Sequence, residues 1–254
     1  MEYISIMFFA VLLAAVLMET IDSSLGMMYG TILAPLLIGL GFSPVDVVPA
    51  ILISQALGGI TGSIQHHRFK NAVFTWRSED TKVGFIIFSL GIIAVIAGVF
   101  LGVKINKFAL SLYIAILMLV MGIIVLIGIS LKFSWGKISF IGVISAFNKA
   151  LSGGGFGPIV TSGQLIVGRE GKNSVGATTM SEVQICLASF VVWLLVNNRI
   201  PSVQLMVALS IGALLGGLIG PYFLSKIKNA KLLTKIVAVM AIASGVFALV
   251  KLLF

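Results

Sequence analysis

Leu151-Ser152-Gly153-Gly154-Gly155-Phe156-Gly157-Pro158 puts four glycines among five residues in the middle of an apolar segment running from 138 to 168. The arms on either side, 138–150 and 159–168, are each too short to cross roughly 30 Å of hydrocarbon at about 1.5 Å per residue. Breaking a helix in lipid strips backbone N–H and C=O groups of partners, which is tolerated only where they line a cavity or meet a ligand. Glycine lets the chain turn and lets backbone donors approach a bound group. The first turn of the helix after the break carries free N–H groups and about half a positive charge, which suits an anion. Tight helix packing through small residues is the competing use of such glycines.

Composition sets the solvent for this segment. Hydrophobic residues make up 59% of the 254 and charged ones 10%, with mean hydropathy +1.17, too little polar surface for a protein dissolved in water. Lipid is therefore the medium, and helices are the element that can span it. The net charge of +9 does not indicate nucleic acid, because Lys and Arg fall in the short loops between apolar runs, where they report topology. The single cysteine, Cys186, lies in an apolar run, and His66-His67 has no CxxC or HExxH partner, so no metal or redox chemistry is expected. His66 and His67 beside Arg68 and Lys70 read as an anchor at the cytoplasmic interface. Met1-Glu2-Tyr3 lacks a basic n-region and the first apolar run holds Glu19 and Asp22, so that run is expected to be retained.

The glycine-rich segment has a counterpart. A segment at 4–41 is interrupted at Ser23-Ser24-Leu25-Gly26-Met27-Met28-Tyr29-Gly30 and followed by spans 45–65, 83–103 and 108–131; hairpin 138–168 is followed by spans 174–196, 202–224 and 232–253. A shift of 127 residues aligns Gly26 with Gly153, Tyr29 with Phe156, Gly30 with Gly157, Gly41 with Gly168, Ala50 with Ala177 and Ser54 with Ser181. The expected organisation is one membrane domain made of a first repeat, 1–131, and a second, 138–254. If both broken segments dip in and return, the loops 66–82, 132–137, 169–173 and 225–235 share one face and basic residues divide 12 to 4; if both cross, the division is 8 to 8. The positive-inside rule favours the first. The fold class expected is an all-α polytopic membrane protein of two inverted repeats, each a re-entrant hairpin plus three transmembrane helices. In the first hairpin the arm 4–21 is by itself long enough to span, unlike 138–150 and 159–168. Inverted repeats with broken helices at matching positions are the sequence sign of a secondary transporter with its site near the midplane.

The candidate substrate-binding residues are Ser152, Gly153, Gly154, Gly155, Phe156 and Gly157 in the second break and Ser23, Ser24, Gly26 and Gly30 in the first. The span after each break adds Ser54 and Gln55, and Thr178 and Thr179 near Ser181, Glu182 and Gln184, as hydroxyl and amide donors; back-bonding to the preceding turn is the competing use of the hydroxyls. Glu19, Asp22, Lys149 and Glu182 are charges at apolar depth and are expected to face a protein interior. Lys149 either helps hold a negative substrate or pairs with Glu182 or Asp22 to join the halves. Glu182 is a candidate for proton coupling, with neutral Gln55 as its counterpart. Gly98-x3-Gly102 and Gly216-Gly217-x2-Gly220 read as helix contacts.

Ser152-Gly153-Gly154-Gly155-Phe156-Gly157-Pro158, the layout of two similar halves, and Ala177-Thr178-Thr179, with Thr179 where a Ser is usual, resemble the sulfite exporter TauE/SafE family over essentially the whole chain. Gly26-Met27-Met28-Tyr29-Gly30 departs from that family's run of glycines. The resemblance implies export or permeation of small sulfur anions such as sulfite or sulfonates. The expected function is a secondary transporter for sulfite or another organosulfur or sulfur oxyanion, with a channel-like facilitator or importer as the alternative. No nucleotide-binding motif or catalytic constellation stands out, so neither an enzyme nor a cofactor is expected. The expected partners are the small anion and the lipid bilayer of a prokaryotic inner membrane, with a homodimer left open.

Overall fold

The computed structural model describes residues 2–102, 107–128 and 131–253. Residues 103–106, with Lys104, and 129–130 lie outside the described residues, as do the side chains of Lys107 and Lys251; the ends of spans 83–103 and 108–131 and the sidedness of those lysines fall there. Among the described residues every regular element is a helix: α1 (Glu2–Leu25), α2 (Tyr29–Gly39), α3 (Pro44–Arg68), α4 (Glu79–Gly102), α5 (Lys107–Ile127), α6 (Trp135–Ser152), α7 (Phe156–Ile166), α8 (Gly171–Asn197), α9 (Val203–Lys226) and α10 (Ala230–Leu253).

Local chemistry accounts for the boundaries. Pro44 opens α3, where its missing N–H costs nothing, and Asp46 in the first turn complements the helix dipole. Ser202 caps α9 by accepting from Leu205 N at 3.4 Å. The two short helices stop at glycines with left-handed φ, Gly41 (+95°) and Gly168 (+82°), which occupy equivalent places in the two halves.

Packing repeats with the sequence. α1 lies on α9 as α6 lies on α4; α3 packs on α9 as α8 packs on α4; α3 meets α8 and α5 meets α10. Exchanging α1–α5 with α6–α10 therefore preserves the main contacts. Small residues set the closeness of the first pairing: Gly212 faces Leu12 and Ala15, Gly216 faces Glu19 and Thr20, and Gly220 faces Thr20 and Ser23. Gly98 meets Phe147 and Ala150 of α6 in the same manner, so these glycines do serve as helix contacts.

The surface is apolar and the polar groups are inside. Ile93 and Leu195 are each 75% exposed, whereas Glu19, Asp22, Lys149 and Glu182 are exposed by no more than 4%. Such a distribution requires lipid around the bundle. By length and hydropathy six described helices could cross a membrane: α1, α3, α4, α8, α9 and α10. At 24 residues α1 rises about 36 Å, longer than an arm that stops at mid-depth needs, so the first hairpin is lopsided.

After each break the chain returns toward the end it came from. Phe42, just past α2, lines one pocket with Met7 and Phe8 of α1 and Ser202. Leu131 N donates to Ile166 O at 2.5 Å, which brings the end of α7 to the start of α6. Asp46 accepts from Ser202 N at 3.1 Å and from Arg199 at 3.2 Å, adding the α8–α9 loop to the Phe42 end. At the other end Arg169 pairs with Asp80 at 2.5 Å, Asn71 donates to Pro221 O at 2.8 Å and Lys172 to Ser225 O at 3.0 Å. In a Cys186→Ala background, cysteines at positions 78 and 229 are expected to react with an impermeant maleimide from the same face, and one at 204 from the other. Opposite sidedness of 78 and 229 would reject this arrangement.

Candidate functional site

The two breaks follow the same backbone path. Gly26 (φ +75°) matches Gly153 (φ +74°), and Met28 (φ +111°) matches Gly155 (φ +76°). The first break thus makes both left-handed turns with one glycine fewer. A methionine in that region is strained by roughly 1–2 kcal/mol. Its side chain is buried in a cluster with Leu25, Met27, Val175 and Leu233, which holds it there.

The breaks also pack tip to tip. A Cβ on Gly30 would overlap the Gly153 carbonyl, one on Gly157 would overlap the Gly26 carbonyl, and one on Gly154 would lie 3.1 Å from Gly30 and Thr31 backbone atoms. These glycines are needed for backbone to meet backbone, a requirement separate from ligand approach. Two of the break's N–H groups already have partners: Gly154 N donates to Ser152 Oγ and Gly155 N to Thr31 Oγ1, both at 3.2 Å. Thr161 Oγ1 lies 3.0 Å from both Gly26 O and Thr178 Oγ1, tying the first break to α7 and α8.

A buried polar chain joins the halves behind the tips. Lys149 Nζ donates to Glu182 Oε1 at 2.8 Å and to Gln55 Oε1; Gln55 Nε2 donates to Asp22 Oδ2 at 3.2 Å; Tyr29 N, in the first turn of α2, donates to Asp22 Oδ1 at 3.0 Å. The 127-residue shift relates Asp22 to Lys149 and Gln55 to Glu182, so the chain is two equivalent helix pairs of unlike charge. Lys149 at 1% exposure and Glu182 at 3% form a desolvated ion pair, expensive to bury and more expensive to break. Gln55 passes the polarity of Lys149 to Asp22, because its oxygen is held by the ammonium and its amide is left for the carboxylate.

Of the residues expected from sequence, Gly26, Gly30, Ser152–Gly157, Gln55, Lys149 and Glu182 come together. Phe156 is fully buried among Val160 and Ala177 as an apolar wedge. Ser54 bonds Tyr29 OH at 2.9 Å, and its hydroxyl back-bonds to Ile51 O as Ser181 does to Thr178 O. Thr178 and Thr179 back-bond to Ser174 O and Val175 O. Ser24 turns away, donating to Thr20 O and Gly220 O against α9. Ser23 donates to Glu19 Oε1 at 2.8 Å. His66 corrects the expectation of an interfacial anchor: it is fully buried, with Nδ1 3.3 Å from Asn71 Nδ2 and Nε2 3.4 Å from Thr179 Oγ1, because α3 runs on to Arg68 beneath the Asn71 loop. Sequence alone did not single out Thr31, Thr161 or Gln164, whose hydroxyls and amide bridge segments distant in the chain. Asn148 was missed as well; it is fully buried and neither amide atom has a partner among the described residues.

A family model, sulfite exporter TauE/SafE, matches residues 11–248. No match was found among curated proteins or solved structures.

Proposed function

This chain belongs to the sulfite exporter TauE/SafE family, and from that premise we propose a secondary transporter that exports or permeates sulfite or another organosulfur or sulfur oxyanion. The anion binds between the tips of the two broken helices near the bilayer midplane of a prokaryotic inner membrane. The observation that carries this is the apposition of two equivalent breaks beside a buried ammonium. Lys149 spends two of its three N–H donors on Gln55 and Glu182, which leaves one for an oxyanion. Asn148, next to it, holds an amide with no partner among the described residues. Gly154 and Gly155 N–H rest on the Ser152 and Thr31 hydroxyls, and an anion entering between the tips takes over those donors. The first turns of α2 and α7 add their dipoles.

Two inverted repeats suit this cycle. Each hairpin returns to the end it came from, the two enter from opposite ends, and the helix contacts are preserved on exchanging the halves, so an opening to one face has a counterpart opening to the other. The test is flux of sulfite, sulfate, thiosulfate and methanesulfonate in proteoliposomes. At least one is expected to move with saturable kinetics and with competition among the carried anions. Flux that rises linearly with concentration would point to a channel-like facilitator. Absence of flux for every anion in both directions would reject the proposal.

A further inference from the structure

Resting on the transporter reading, we infer that Glu19 is the proton-loading group of this protein, loaded from the face that carries the Asn71 loop. The acids of the interior differ in what compensates them. Glu182 holds Lys149 at 2.8 Å. Asp22 accepts from Tyr29 N and Gln55 Nε2, with the α2 dipole aimed at it, so both its oxygens are satisfied as a carboxylate. Glu19 is 1% exposed, its Oε1 meets only the Ser23 hydroxyl, and its Oε2 has no partner among the described residues.

No cation of the described residues pairs with Glu19. The charged groups that act on it are Asp22 on its own helix, Glu182 on α8 and Lys149 on α6, the last already engaged by Glu182 and Gln55. Tyr29 on α2 and Cys186 on α8 are its other titratable neighbours, and His66 on α3 lies beside Thr179. α3 and α9 otherwise present Gly58 and Gly216 to it, which contribute no donor side chain. A second bare carboxylate one turn from Asp22 is not compensated by anything in reach, whereas a neutral acid fits with one hydroxyl partner. Glu19 therefore carries a proton in the arrangement seen here.

Ser23 Oγ lies 2.8 Å from Glu19 Oε1, while His66 Nε2 lies 3.4 Å from Thr179 Oγ1 and His66 Nδ1 lies 3.3 Å from Asn71 Nδ2 in the loop after α3. Gly62 keeps the gap open, since a Cβ there would come 3.2 Å from Ser23 Oγ and 3.1 Å from Thr179 Cγ2. Water at the Asn71 face supplies the proton, and the Glu19 carboxylate becomes the neutral acid. When the halves open to the other face, Glu19 returns the proton to water as the carboxylate reforms. One proton moves per cycle alongside the anion.

The test uses the full-length protein and two readouts. In infrared difference spectra of reconstituted wild type without substrate, a buried protonated-carboxyl C=O band is expected that Glu19→Gln removes and Glu182→Gln leaves in place. In proteoliposomes carrying labelled sulfite or methanesulfonate, the latter a permanent anion, Glu19→Gln is expected to keep anion exchange within two-fold and to lose at least ten-fold of the net flux driven by a pH gradient. Glu19→Asp is expected to shift the band and retain coupling, and it decides the matter if Glu19→Gln does not fold. A band unmoved in Glu19→Gln or in Glu19→Asp, or pH-driven flux surviving in Glu19→Gln, overturns the inference. Wild-type flux indifferent to the pH gradient overturns it while leaving the transporter standing. Wild type that moves neither anion fails the proposed function instead, and the infrared band still decides Glu19.

Discussion

Gly30→Ala and Gly157→Ala are expected to abolish transport and destabilise the protein, with Gly154→Ala intermediate and Gly153→Ala mildest. The ranking follows from where each new methyl lands. At Gly30 and Gly157 it overlaps a backbone carbonyl of the opposite hairpin, which cannot rotate aside as a side chain can. Forcing the tips apart costs about 1–3 kcal/mol by the usual scale of overpacking, and more where backbone must move. At Gly154 the methyl lies at 3.1 Å from backbone, tight but relieved by a small shift. At Gly153 the nearest atoms are 3.6 Å away, so only the left-handed φ of +74° is penalised, by roughly 1 kcal/mol. Thermal unfolding beside sulfite flux measures both effects. Equal losses at all four positions would mean that the tips do not meet in this way. A Gly154→Ala variant of unchanged stability and unchanged anion affinity would place the anion elsewhere.

Lys149→Met is expected to cost about 3–5 kcal/mol, because it leaves the Glu182 carboxylate buried without its cation. Lys149→Met with Glu182→Gln removes both charges and keeps similar volumes, and stability should return to within about 1 kcal/mol of wild type, since a buried pair is worth little against an uncharged replacement. Transport separates the two roles of Lys149. If the ammonium also holds the anion, the double variant is stable and inactive, with sulfite affinity lost at least ten-fold. If the pair only joins the halves, the double variant transports normally. The comparison also reaches Asp22: with the ammonium gone, Gln55 is free to turn, and the hydrogen bond to Asp22 Oδ2 is no longer directed.

Several features were legible in the sequence for reasons that are local. Apolar runs of spanning length, loops rich in Lys and Arg, and glycines clustered inside an apolar segment each state a short-range preference of chain for solvent or for conformation. The break at Gly153–Gly157 was visible because glycine is needed in quantity there. Its partner at Gly26–Gly30 was fainter because Met28 takes a glycine's conformation, and strain of that kind leaves no compositional mark. His66 was misjudged for a related reason: the end of an apolar run looks like an interface, whereas a loop folded back over it, held by Asn71 to Pro221, makes it interior.

The sequence by itself determined that this is a helical membrane protein with four charges at apolar depth, and it pointed to two similar halves, each broken once. Hydropathy and periodicity carry that much, since a helix in lipid must satisfy its own backbone wherever its side chains end up. Only the tertiary structure decided how those charges are used. Lys149 had two candidate partners; the packing of α6 against α8 gave it Glu182 directly, and Gln55 reaching in from α3 gave it Asp22 indirectly. Glu19, similar in the sequence to the other acids, was left with a lone hydroxyl because α9 and α3 present glycines to it. The physical reason is range: which residues turn or span is set by a few neighbours along the chain, whereas which carboxylate meets a cation depends on helix positions 33 and 94 residues from Lys149 arriving at the same place.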